Sequence, residues 1–334
     1  MMQQMENRKT ITAGRIIPIL FFAVMAVLPM FVTSNYITNV LVNCMVFSIF
    51  GLSWNIIGGY GAQISWCSAA FVAIGAYVNF IFSNDFGISP FITLPISMVL
   101  SLVLSTLIGY GTFRLQGAYF SIATIAFAET LRSIITYSDF TKGAAGMYST
   151  YRGHDFWSLS FANDAPFYYI MLVLLFLTLV FTYRFTVSKT GWYLSCIKGD
   201  EIAAGSLGIE TFKVKLRAFQ ISAMMMSVAG CFYASFLSYI SPVSTCSFDL
   251  SIKIGVVAII GGIGTLWGPV VGAFIIIPLI EVAASLLGAS GSSNVLYGLM
   301  LVLIVMFRPA GVFPLLRNLF YKLVNRNQKQ VKGA

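Results

Sequence analysis

Long apolar stretches, broken only by short polar punctuation, run along almost the whole chain. Stretches approaching the roughly 20 residues a helix needs to cross a bilayer fall at 16–33, 36–57, 66–82, 91–113, 118–137, 167–185, 218–240, 252–263, 269–287 and 295–307. The eighth and tenth are short. Within these stretches the apolar residues are continuous and do not alternate, so the pattern predicts helices and not the alternating strands of a membrane barrel. The expected architecture is all-α: a polytopic membrane bundle of about ten transmembrane helices in a single transmembrane domain, 1–334. The first stretch lacks a small-x-small cleavage site and leads straight into the second, so it reads as an anchor and not as a cleaved signal peptide.

Composition agrees with that class. Hydrophobic residues make up 58% of the chain and charged residues 9%, against about a quarter charged in soluble domains. One histidine and 11 acidic residues leave little material for a hydrolytic or metal site. No catalytic residue, cofactor or metal is expected. The net charge of +9 is explained by topology. With the N-terminus in the cytoplasm and the spans alternating, sixteen of the 20 Lys and Arg residues fall on the cytoplasmic side, including those of a basic tail, 308–334. Only Arg132, Lys142, Arg152 and Lys253 fall in the outer half or outside. This positive-inside bias places both termini in the cytoplasm of a multi-pass inner-membrane protein whose partner is the lipid bilayer and not a nucleic acid. The five cysteines are scattered, with no CxxC pair, and read as small buried hydrophobes.

One pattern occurs twice. Gly58-Gly59-Tyr60-Gly61 closes the second stretch, and Gly261-Gly262-Ile263-Gly264 closes the eighth. Each is followed by a helix with a Gly-Ala pair, Gly75-Ala76 or Gly272-Ala273. Glycine-interrupted segments at matching places suggest two parallel structural repeats with broken or tightly turned helices.

The cytoplasmic loop 184–217 carries the most specific signal. Asp200 is placed to cap a short helix, Glu201 favours its positive end, and Gly208 is placed to end it about two turns later. Ala203, Ala204 and Gly205 leave a surface that a partner's groove can approach closely, while Leu207 offers a knob. On physical grounds alone, a mechanical coupling element and a helix resting at the lipid interface fit equally well.

The loop resembles the Glu-Ala-Ala-type coupling loop of ABC importer permeases, with Glu201, Ala203, Ala204 and Gly208 at its signature positions. Almost end to end, the chain resembles the M-type permeases of branched-chain amino acid importers. The matching stretches are 58–65, 69–71, 75–77, 117–120 with Thr124 and Glu129, 261–269 and 307–311. It departs from them at Ala118 and Lys253, where acidic residues are common. The resemblance implies alternating access driven by two cytoplasmic ABC ATPase subunits, a homologous second permease and an extracytoplasmic substrate-binding protein. The chain has no Gly-Lys dipeptide and hence no Walker A loop, so ATP would be hydrolysed by separate subunits. Two alternatives are a permease for urea or short amides and an ion-coupled secondary transporter.

Glu129, Arg132, Lys253 and Glu281 fall inside spans, where a charge is costly unless it pairs or faces water. They fit either a vestibule for a zwitterion or ion pairs that lock helices together. With Gln63, Ser65 and Thr124 they form the candidate translocation path. The outer loop 138–166, with Arg152, His154 and Asp155, is the expected contact for the binding protein.

Overall fold

The computed structural model describes residues 18, 20–31, 34–115, 117–149, 159, 164–287, 298–299, 302, 306 and 311–315. Its helices are α1 (Leu20–Phe31), α2 (Asn35–Asn55), α3 (Ser68–Phe86), α4 (Pro90–Thr112), α5 (Ala118–Tyr137), α6 (Asp164–Thr186), α7 (Lys189–Gly199), α8 (Glu201–Ser206), α9 (Thr211–Leu237), α10 (Pro242–Thr245), α11 (Phe248–Gly262) and α12 (Gly268–Leu287). A π turn, Ile56–Tyr60, extends α2. Among the described residues seven helical segments are long and apolar enough to cross a membrane, and α1 and α12 add two further apolar helices. The chain is an all-α polytopic membrane bundle.

Local chemistry sets the helix ends. Ser89 caps α4, with Pro90 in its first turn, where a missing N–H costs nothing. Gly87, at φ 70°, closes α3. Ser241 and Ser244 form a reciprocal capping box around α10, and Ser247 caps α11. Among the described residues the one sheet is a two-residue pairing of β1 (Met147–Tyr148) with β2 (Tyr239–Ile240), antiparallel.

α2 is the centre of the bundle, buried almost continuously from Cys44 to its end and packed by α6, α9, α11 and α12. Beside it, α9 receives α3 and α4. Helix association in lipid relies on close packing, since tails are as apolar as leucine, and glycines supply it here. A Cβ on Gly75 would collide with the Ser227 carbonyl, and one on Gly230 with that of Val72. Polar bonds add to the packing: Asn79 Nδ2 donates to Cys231 O and to Ser235 Oγ, each at 2.9 Å. Gly75→Val is expected to cost about 1–3 kcal/mol through overpacking, measurable as a lower melting temperature in detergent.

Of the boundaries that differ from expectation, three have a clear cause. α3 begins at Ser68, two residues later than the apolar run, because the chain from Gly61 to Cys67 is not helical. α9 begins at Thr211, seven residues earlier than expected, since backbone bonding continues through Lys213, Lys215 and Arg217 where hydropathy stops. The expected short eighth span is the end of a 21-residue segment, Pro242–Gly262. The tenth expected span, 295–307, and the tail 308–334 lie mostly outside the described residues.

Candidate functional site

The segment between α6 and α9 is an arm of two helices. Ser188 opens α7, its hydroxyl accepting from Gly191 N at 3.3 Å, and Leu194 and Ile197 bury one face. Asp200 is extended, at φ −157°, which breaks the helix. Its carboxylate then restarts it, Oδ1 accepting from Ile202 N at 2.8 Å and from Ala203 N at 3.0 Å. Gly208 takes φ +84°, a conformation glycine adopts without strain, and ends the turn. Of the expected coupling residues, Ala204 faces inward, whereas Ala203, Gly205, Leu207 and Gly208 are exposed. Ile202 and Leu207 are 81% and 82% exposed. A helix this short does not hold itself in place. The tether is Lys215 of α9, whose ammonium meets Glu201 Oε1 at 2.6 Å while lying 5.6 Å from the centre of the Phe113 ring. Lys215 had no signal in the sequence beyond being a cation near a span end.

At the inner end of this arm the two glycine-rich turns meet. Asn55, fully buried, accepts from Gly264 N at 2.8 Å and donates to Thr265 O at 2.8 Å. Lys198 of α7 donates to Gly59 O at 2.8 Å.

From there the chain climbs back into the bundle without forming a helix. Gln63 N donates to Ile57 O, Trp54 Nε1 to Ser65 O, Ser121 Oγ to Ile64 O, and Trp66 N to Thr124 Oγ1. Ala69 N then donates to Ser251 Oγ at 3.0 Å. Ser251 stands about 16 Å along α11 from Gly262, at 1.5 Å per residue. α3 therefore starts well inside the length of α11, at a distance from the glycine turns about half the roughly 30 Å thickness of a hydrocarbon core. Ala62 and Ile64 are nonetheless exposed and Gln63 half-buried. Irregular backbone at that depth is tolerated only where protein covers it or where it lines a water-filled space.

The charges gather beside this segment. On α5, Arg132 and Glu129 pair at 2.8 Å, each side chain 39% exposed. Cys246 reaches the Ala128 carbonyl, which brings that pair next to the start of α11. There Asp249 is exposed and Lys253 half-buried, four residues apart, and the rings of Phe248 and Trp66 lie 6.4 Å apart. Gln63 thus lies on the side of the bundle where Glu129 and Arg132 stand, and Lys253 follows Asp249 by one turn along α11. Ser65 and Thr124 are buried and fix the backbone of the irregular segment. Glu281 is not part of this group: α12 places that side chain near Cys44 and Tyr233. Asp249 and Asn55 were missed in the sequence, although the spacing of Asp249 and Lys253 by one helical turn was visible there. Arg152, His154 and Asp155 lie outside the described residues.

A family described as the branched-chain amino acid transport system permease component matches residues 36–305. The chain is 25% identical over 317 residues to the high-affinity branched-chain amino acid transport system permease protein LivM of Escherichia coli K12, covering 88% of this chain and 74% of the relative. LivM of Salmonella typhimurium matches with the same identity and coverage. A shorter likeness, 31% over 90 residues, joins 26% of the chain to 28% of the ribose import permease protein RbsC of Haemophilus influenzae. No solved structure matches.

Proposed function

Since the chain belongs to the family of branched-chain amino acid transport system permease components, we propose that it is one permease half of an ATP-driven importer in the cytoplasmic membrane, moving branched-chain amino acids inward. The observation that carries this reading is α8, with Ile202 and Leu207 displayed outward on a helix clamped to α9 by Lys215. An interface helix resting on lipid needs no such rigid attachment. A helix that passes on motion does. Two ABC ATPases receive the α7–α8 arm from the cytoplasm, a homologous permease completes the membrane part, and a binding protein delivers substrate from outside. Both termini are cytoplasmic, in line with the placement of the basic residues. ATP binding draws the ATPases together, α8 moves with its groove, and the bundle opens to the other side. Substrate biases that change only through different affinities for the two states.

The translocation path runs past Gln63, Glu129 and Arg132 and along the start of α11 with Asp249 and Lys253, covered by the second permease. Mixed charges there can receive both ends of a zwitterion. Glu129→Gln and Lys253→Met are expected to assemble normally and to lower uptake about tenfold each, the scale of one lost charged hydrogen bond. Wild-type uptake in both variants would exclude the path and leave the ionic-lock role.

Affinity purification of the chain from its own host tests the importer reading. ATPase subunits of the ABC type are expected to co-purify, and uptake is expected to stop when they are deleted. A chain that purifies without them and transports on an ion gradient is a secondary transporter, and the reading is then wrong.

A further inference from the structure

Two helices end at one place. α2 runs out through its π turn and α11 through the turn at Gly262–Gly264, and each end is the negative pole of its peptide dipoles, with carbonyls that lack intrahelical partners. Lys198 sets its ammonium between them. Nζ donates to Gly59 O at 2.8 Å, and Gly264 lies so near that an added Cβ would stand 3.0 Å from Nζ and 3.2 Å from Gly59 O. One helical turn earlier, Leu194 covers Gly61, where an added Cβ would meet it at 3.3 Å. α7 therefore grips the first turn with an apolar contact and a charged one on the same face. Asn55 ties the second turn to the first.

What lies on either side of this grip gives it meaning. Asp200 alone separates α7 from α8, so the arm and Lys198 move nearly as one piece. Beyond Gly61 the chain enters the irregular segment 62–67, whose backbone is pinned to α5 by Ser121 and Thr124. The gripped backbone is also suited to rearrangement. A π turn is wound more loosely than the α-helix and occurs often at functional sites. Gly262 and Gly264 hold φ values of +133° and +73°, which leaves conformations open that side chains would forbid.

We propose that Lys198 is the positioning residue through which displacement of the α7–α8 arm is delivered to both glycine turns, and from them to the 61–67 segment beside the path. The proposal rests on the importer reading given above and adds the route by which the cytoplasmic arm reaches the membrane interior. An aliphatic side chain of the same length keeps the packing but cannot draw on a carbonyl. A guanidinium can.

The complete complex in liposomes tests the route, with ATP hydrolysis measured with and without leucine-loaded binding protein and with leucine uptake as the second readout. Lys198→Met is expected to keep basal hydrolysis, to lose its stimulation by the loaded binding protein, and to lower uptake about tenfold or more, the scale of one lost charge-assisted hydrogen bond. Lys198→Arg is expected to restore stimulation. A Lys198→Met complex with wild-type stimulation and uptake overturns the proposal. Should that variant fail to assemble, hydrogen exchange on the wild-type complex decides. Trapping the ATPases with ATP and vanadate is expected to change protection at 59–66 together with 201–207, and unchanged protection at 59–66 overturns the route. A wild-type preparation with no ATPase subunits at all is a separate result, since it removes the importer reading before any variant is made.

Discussion

Asn55→Leu is expected to destabilise the bundle by about 1–3 kcal/mol, because it removes two side-chain bonds to part-buried backbone groups at about 0.5–1.5 kcal/mol each. Asn55 is fully buried, and its carboxamide is the partner of both Gly264 N and Thr265 O, 209 and 210 residues away in sequence. Leucine has nearly the same shape, so the packing survives while both bonds vanish. The turns are closely set around it, for a Cβ on Gly59 would already collide with the Asn55 amide oxygen and approach Gly264 N to 2.7 Å. The measurement is the unfolding midpoint in mixed micelles, followed by tryptophan fluorescence, since Trp54 neighbours the clamp in sequence and Trp267 follows it. A midpoint equal to the wild type's would mean that water or a shifted backbone satisfies both groups, and that the two turns are not held together by Asn55.

The second large effect is an asymmetry. Glu201→Ala is expected to be far more damaging than Lys215→Met, although both remove the same ion pair. The Lys215 side chain is 4% exposed and the Glu201 side chain 33%. Deleting the glutamate leaves a buried ammonium against the Phe113 ring, and breaking a buried pair this way costs about 3–5 kcal/mol. Deleting the lysine charge leaves a carboxylate that can turn to water, and methionine fills the space against Phe113, so about 1 kcal/mol is expected, the range of pairs with an exposed partner. Because the pair is what fastens α8, Glu201→Ala is also expected to loosen the arm, seen as faster hydrogen exchange over 201–207 and loss of co-purifying ATPase. Equal losses in the two variants would show that desolvation of Lys215 is not what sets the cost.

The class of the molecule was readable in the amino-acid order because it depends on local quantities. A run such as 91–113 is apolar over the length of a membrane whatever surrounds it, and it is α4 with its ends shifted by one residue. The cap at Asp200 was equally local, since side-chain oxygen and amide lie two and three residues apart. Ends were misread where charge and helix overlap. Lys213, Lys215 and Arg217 stop an apolar run, yet their backbone continues α9, and only the glutamate brought opposite Lys215 makes burying it tolerable.

Sequence by itself determined that this is a membrane bundle of long helices with a capped two-turn helix between α7 and α9, because hydropathy, run length and capping act within a few residues of one another. The tertiary structure alone decided that the two glycine turns touch, that Lys198 and Asn55 join them, and that Glu281 stands apart from the other spanning charges. Those relations depend on which helix packs against which. Such packing follows from steric fit between surfaces far apart along the chain, as where Gly261 and Gly272 let α11 and α12 meet backbone to backbone.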